Sequence, residues 1–285
     1  MWLSSRLSVV MSGTLLLAQP AAIQTQVIAV TSKDGTRIGV ECAGTGPTVL
    51  FVHGGVGDRT RWTPMFPLVS SKFTACAMDR RGRGASGDSP EYSLSKEAED
   101  VAAVVNSRTG PVFVLGHSYG GVVALEAAFL TDRITGLMLY EPPLHEPVGT
   151  NLAVAGRVEE MVKQGDLERA FITFQTEIVK QSPEELARMK SRPTWAGLVA
   201  TIAVQPRQMR ALSAYRFDAS RMKSLAMPTL LLLGTDTTSP YTKQSIAELR
   251  ESLPKPTLVV LEGQAHNAMD GGRELLASAI LKFIN

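Results

Sequence analysis

The segment Gly116-His117-Ser118-Tyr119-Gly120-Gly121 sets one serine hydroxyl among three glycines. An apolar run, Val112 to Leu115, precedes it, and a helical pattern opens near Gly121. A serine held on so tight a strand-to-helix turn needs small neighbours, because the chain passes close to itself with strained dihedrals. The result is an exposed hydroxyl at a helix N-terminus, where negative charge is favoured. This arrangement is a nucleophile elbow, and Ser118 is its candidate nucleophile.

A serine hydroxyl needs a base, and the chain has only four histidines to choose from. His53 ends a buried strand, His117 adjoins Ser118 with its side chain directed away from it, and His145 lies where a helical stretch begins, as a hinge or surface residue. His266, in the loop Gly263-Gln264-Ala265-His266 after the last strand, is left as the candidate base, since such a loop can reach the carboxyl edge of a parallel sheet. The base needs a carboxylate to fix its tautomer. Asp236, in Gly234-Thr235-Asp236, is the favoured acid, because the acid usually follows the strand nearer the histidine. Glu141, in Tyr140-Glu141-Pro142-Pro143, is the rival, with anchoring of the following loop as its other role. The developing oxyanion needs two preorganised amides. The N–H of Tyr119 supplies one and that of Gly55, in His53-Gly54-Gly55-Val56, the other, with Val56 in reserve. Gly82-Arg83-Gly84-Ala85-Ser86-Gly87 matches a dinucleotide fingerprint, but no helix opens inside it, so cofactor binding is rejected. Asp79 is expected to brace this loop, and Arg80, Arg81 and Arg83 to form a solvated face and loop clamps.

The elements that must position these groups follow from hydrophobic pattern. Residues 27–32 and 37–42 form strands joined by an Asp-Gly hairpin signal. Residues 48–52, 73–78, 112–115, 137–140, 229–233 and 257–261 are apolar runs of buried-strand type. Helical stretches at 96–106, 121–130, 242–252 and 274–284 alternate with them, which argues an α/β fold with a mostly parallel sheet covered on both faces. Residues 144–222 break the rhythm with helical pattern alone and form an insertion, so the core comprises 27–143 and 223–285. Ser182-Pro183-Glu184-Glu185 inside the insertion is a helix start.

Composition excludes several classes. With 44% hydrophobic and 20% charged residues, the chain is neither disordered nor fibrous. The 29 basic and 27 acidic residues leave a net charge of +2, which provides no broad field for nucleic acid. Two cysteines exclude a disulfide scaffold and an all-cysteine zinc site. Residues 1–22 carry Arg6, an uncharged apolar run from Leu7 to Ala18, and small residues after it. That is the layout of a secretory signal peptide, too short for a membrane span. Export is therefore expected, with a cytoplasmic chain starting at Met11 as the alternative.

Taken together, His53-Gly54-Gly55, Asp79 to Ser86, Gly116 to Gly121, Gly234-Thr235-Asp236 and Gly263 to His266 resemble the α/β-hydrolase superfamily over roughly residues 27–285. The resemblance implies an eight-stranded, mostly parallel sheet with the insertion as a helical cap over Ser118. It implies a serine esterase acting through an acyl-enzyme on an apolar substrate, without metal or organic cofactor. Lactonases, carbon–carbon bond hydrolases, cofactor-free haloperoxidase-like enzymes or lyases, and more remotely a non-catalytic binding protein, share the scaffold. Serine at position 118 argues against epoxide hydrolases and dehalogenases, whose nucleophile is aspartate. Phe171, Phe174, Trp195, Met189 and Met209 of the cap are the candidate pocket residues. The resemblance also makes the strands of Cys42 and Cys76 neighbours. Both are expected to be buried thiols, because cross-strand disulfides demand a narrow range of separations. Oligomeric state is left open.

Overall fold

The structure, a computed structural model, describes residues 24–145 and 148–285. The expected signal segment lies outside the described residues. Eight strands form one sheet: β1 (Gln26–Thr31), β2 (Arg37–Ala43), β3 (Thr48–Val52), β4 (Thr74–Met78), β5 (Val112–His117), β6 (Ile134–Tyr140), β7 (Thr229–Gly234) and β8 (Pro256–Leu261). Their order is β1-β2-β4-β3-β5-β6-β7-β8. β2 runs antiparallel to both its neighbours, and every pair from β4 to β8 is parallel.

The alternation of side chains along each strand divides the core. Leu50 and Val52 of β3 face one layer with Val112, Val114, Leu137 and Leu231, while Val49 and Phe51 face the other with Leu115, Met138 and Leu232. The first layer is covered by α2 (Leu94–Asn106), α3 (Tyr119–Ala127) and α10 (Pro240–Ser252) through residues such as Val101, Val122 and Leu249. The second is covered by α1 (Phe66–Val69) and α12 (Arg273–Ile284), together with Met269 of the short α11 (Ala268–Gly271). Ser93 caps α2 by accepting from the Lys96 N–H, which satisfies an otherwise orphaned donor.

Between β6 and β7 the chain leaves the sheet through α4 (Val148–Lys163), α5 (Leu167–Glu177), α6 (Pro183–Lys190), α7 (Trp195–Ala200), α8 (Gln205–Ala214) and α9 (Ala219–Met222). The start of α6 is a full capping box between Ser182 and Glu185. These helices hold a separate apolar cluster of Val154, Ala155, Val158, Phe171, Phe174 and Ile202.

The cysteine expectation is overturned. Cys42 and Cys76 lie directly opposite each other in the antiparallel β2–β4 ladder, and they form a disulfide. Their Cα atoms are 4.1 Å apart, because that register brings the two side chains face to face. Among the described residues no helix is long and apolar enough to cross a membrane.

Candidate active site

Ser118 sits between the end of β5 and the start of α3 with φ 53° and ψ −129°. A non-glycine residue there is strained by about 1–3 kcal/mol, and surrounding packing must over-determine it. Here the Ser118 N–H donates to the Tyr140 carbonyl at 2.9 Å, and its own carbonyl accepts from the Gly121 N–H at 2.7 Å. A Cβ at Gly116 would collide with the backbone of Gly120 and Gly121, and one at Gly120 with the carbonyls of Val52 and His53. Glycine is therefore a steric requirement of the turn. The Ser118 side chain is half-buried, and its hydroxyl has no hydrogen-bond partner among the described residues.

His266, in the loop after β8, is bonded through Nδ1 to Glu141 Oε2 at 2.7 Å. Asp236, the acid favoured from sequence, does not reach it. Its carboxylate is exposed and accepts from the Thr235 hydroxyl, and only its backbone touches the histidine loop, through a bond from its N–H to the Gln264 carbonyl. The physical reason lies in the turn after β6. Glu141 adopts φ 49° and is fully buried, and its other oxygen passes beneath the end of β7 to accept from the Gly234 N–H at 2.9 Å and the Thr237 hydroxyl at 2.5 Å. Burial alone would raise this carboxyl's pKa. The bonds from His266, Gly234 and Thr237 outweigh burial and hold it below its ordinary value, so it is ionised. An ionised carboxylate only accepts, so the proton of the neutral imidazole resides on Nδ1, leaving Nε2 as an acceptor.

Two groups that sequence reasoning assigned no part in the site hold the histidine loop. His117 Nε2 donates to the His266 carbonyl at 2.7 Å, and the two rings lie 4.6 Å apart. Burial, then the neighbouring His266 and Arg61, pushes the His117 pKa well below its ordinary value, so this ring is a neutral strut. The Tyr140 hydroxyl donates to the Ala265 carbonyl and accepts from the Ala268 N–H. Both residues end strands beside Ser118 and Glu141, which was the available signal for them.

Tyr119 opens α3, so its N–H has no acceptor within the helix. Gly54 presses on Ser118, since a Cβ there would lie 3.1 Å from Ser118 Cβ. The next residue, Gly55, faces two side-chain amides of α8, and a Cβ on it would lie 3.0 Å from Nε2 of both Gln205 and Gln208. Asp79 braces the following loop, accepting from the Ala85 and Arg59 N–H groups at 2.7 Å each. The three arginines do not form a solvated face. Arg80, Arg81 and Arg83 are all buried, Arg81 on Asp100 at 2.7 Å and Arg80 on Glu97 at 2.8 Å. Carboxylates of α2 match Arg80 and Arg81, and carbonyl and amide oxygens hold Arg83, which is why these groups can leave water.

The cap residues named as pocket candidates lie in or against the inserted helices' own apolar cluster. Phe171, Phe174 and Met209 are buried within the inserted helices' own cluster, and Trp195 and Met189 pack against it, Trp195 edge-on to Phe171 at 5.1 Å. Helical spacing of apolar residues gave these helices a core, which Val56 also packs against, and polar Gln205 and Gln208 face Gly55. Among the described residues, no three His, Cys, Asp or Glu side chains cluster as metal ligands would.

Residues 49–279 match the model of the alpha/beta hydrolase family. The chain belongs to that family. This alpha/beta hydrolase is 32% identical to an alpha/beta hydrolase of known structure from Sphaerobacter thermophilus, with a TM-score of 0.79 over 90% of this chain and 100% of the other. It is 25% identical to a thermophilic esterase from Thermogutta terrifontis, solved with malate bound, with a TM-score of 0.70 over 91% and 98%. Among curated proteins it is 24% identical over 252 residues to 2-(acetamidomethylene)succinate hydrolase of Mesorhizobium japonicum, covering 85% of this chain and 89% of the relative.

Proposed function

We propose that this alpha/beta hydrolase cleaves a carboxylic ester or related acyl bond of a small molecule through an acyl-enzyme. The observation that carries the reading is the 2.7 Å bond between His266 Nδ1 and buried Glu141, on the sheet edge where Ser118 adopts its positive φ. Ser118 Oγ attacks the substrate carbonyl and its proton passes to His266 Nε2. Glu141 stabilises the imidazolium that forms. The N–H groups of Tyr119 and Gly55 hold the oxyanion. The tetrahedral intermediate collapses, and the leaving alcohol takes the proton from His266. Water then attacks the acyl-enzyme by the same route in reverse roles and releases the acid. The serine–histidine bond forms in the substrate complex, as catalytic hydrogen bonds often do.

The substrate we assign is small and carries a polar acyl part. Its support is the pair of glutamine amides facing Gly55, beside the apolar cluster that meets Val56. The succinate derivative named for the Mesorhizobium relative is in keeping with this. We further propose export, which the Cys42–Cys76 disulfide supports because such bonds persist in oxidising compartments.

A fluorophosphonate probe with Ser118→Ala as control tests the nucleophile. Hydrolysis of p-nitrophenyl acetate, octanoate and hemisuccinate then tests the substrate class. Labelling that persists in Ser118→Ala, or the absence of any labelling, refutes the mechanism. A preference for octanoate refutes the polar acyl group.

A further inference from the structure

The oxyanion loop is gripped from behind by two arginines. Arg80 Nη2 donates to the Gly54 carbonyl at 2.9 Å and to the Gly55 carbonyl at 3.3 Å. Arg83 Nη2 donates to the Gly55 carbonyl at 2.9 Å. In a trans peptide the carbonyl of one residue and the N–H of the next point in opposite directions, and no peptide among the described residues is cis. Holding the Gly54 oxygen therefore aims the Gly55 N–H away from Arg80, and holding the Gly55 oxygen aims the Val56 N–H away from Arg83. Neither amide donates to a protein acceptor among the described residues. Both are left for a ligand.

The same two Nη2 atoms share a third acceptor. Gln208 Oε1, on α8 of the insertion, lies 2.5 Å from Arg80 Nη2 and 2.7 Å from Arg83 Nη2. Guanidinium groups only donate, so the amide must present its oxygen to them. Glu97 is the carboxylate bonded to Arg80, while Arg83 meets only neutral oxygens. Two adjacent buried cations with one anion between them need a further strong acceptor, and Gln208 supplies it from the inserted helices.

We propose that Gln208 is a positioning residue for the oxyanion hole. By tying Arg80 and Arg83 together it fixes the peptides at 54–56, so the hole is aimed only when α8 is seated on the core. This inference rests on the serine hydrolase reading above.

The test compares Gln208→Met, a near-isostere without an acceptor, with Gln208→Glu, which keeps one. Arg207→Ala is the control. It removes the ion pair from α8 to Asp88 at 2.6 Å and leaves Gln208 alone. With p-nitrophenyl acetate, Gln208→Met is expected to lower kcat about 10- to 100-fold, part of what a lost oxyanion donor costs, with KM within about two-fold. The rate of Ser118 modification by a fluorophosphonate, which uses the same hole, should fall in parallel. Gln208→Glu should stay within about three-fold of wild type and Arg207→Ala within about two-fold, since each keeps the shared acceptor. If Gln208→Met does not fold, Arg83→Lys gives the same reading, because a lysine keeps the charge but its shorter, non-planar head cannot set a donor where Nη2 meets both oxygens. A wild type that reacts with ester and probe, alongside a Gln208→Met or Arg83→Lys variant of equal kcat, overturns this inference alone. An Arg207→Ala loss as large as that of Gln208→Met also overturns it, since the effect is then general loosening of α8. A wild type that takes no probe overturns the hydrolase reading and this inference with it.

Discussion

Replacing Glu141 with glutamine isolates one proton. Oε1 of Glu141 accepts from two donors, the Gly234 N–H at 2.9 Å and the Thr237 hydroxyl at 2.5 Å. In the glutamine the remaining oxygen must keep these donors, so the NH2 group turns to His266 Nδ1. A donor there forces Nδ1 to accept, and the imidazole proton moves to Nε2. A protonated Nε2 cannot take the serine proton, and the wrong tautomer costs up to about 10⁴-fold in kcat, or about 5 kcal/mol of transition-state stabilisation. The fold loses one charge-assisted bond, about 1–2 kcal/mol, so melting should drop by only a few degrees. Asp236→Asn removes an exposed carboxylate whose side-chain partner is the adjacent Thr235, and should leave kcat within about three-fold. The assay is kcat on p-nitrophenyl acetate for both variants, with thermal melting to show that each is folded. A folded Glu141→Gln enzyme with near-normal kcat refutes the tautomer argument. An inactive Asp236→Asn enzyme returns the acid's role to Asp236.

Three further outcomes are expected. His53 and His117 both have pKa values pushed well below 6.5 by burial, so the unfolded chain takes up protons first and stability falls with pH below about 6.5. From pH 6.5 to 5.5 the loss is about 1 kcal/mol per histidine, or about 4–8 °C in Tm for the pair, and an unchanged melting temperature contradicts their buried neutral state. The disulfide should leave no free thiol under denaturing, non-reducing conditions, and reducing it should cost about 3–4 kcal/mol of stability for a 34-residue separation; two titratable thiols would contradict the bond. Mass spectrometry of exported protein should find the mature N-terminus between Gln19 and Gln24, and an intact Met1 or a cytosolic start at Met11 would remove the export proposal.

The central strands were legible as short apolar runs with both faces covered, as in Thr48 to Val52, where every residue is buried, and the β1–β2 pair was legible from its Asp-Gly hairpin signal. The short helix Phe66–Val69 was not, since four residues carry no periodicity and Met65 before it offers no capping side chain. The disulfide was not legible from spacing either. Residues 34 apart meet only because the β2–β4 register sets Cys42 against Cys76, and register is a property of the whole sheet. The burial of the pocket candidates was not legible for a related reason. An insertion of six helices must bury apolar surface of its own before it can line anything, and Phe171, Phe174 and Met209 are spent on that.

The strained turn at Ser118 was legible where the carboxylate partner of His266 was not, and the difference is steric. Around Ser118 the turn excludes every side chain larger than glycine at positions 116 and 120, so the geometry is written as residue identity. No such constraint marks the acid. Glu141 and Asp236 both follow strands, and chain order favours Asp236 because β7 stands next to β8. What decides is reach. Glutamate has one more methylene than aspartate, and from a left-handed turn at φ 49° it can pass under Gly234 to the imidazole while its second oxygen is satisfied by Gly234 and Thr237. A buried carboxylate is tolerable only with all its oxygens occupied, and residue 141 meets three donors where Asp236 meets one. A positive φ at a residue with a long polar side chain, just after a central strand, is thus the structural mark of the carboxylate proposed as the acid, and it has no counterpart in composition or periodicity.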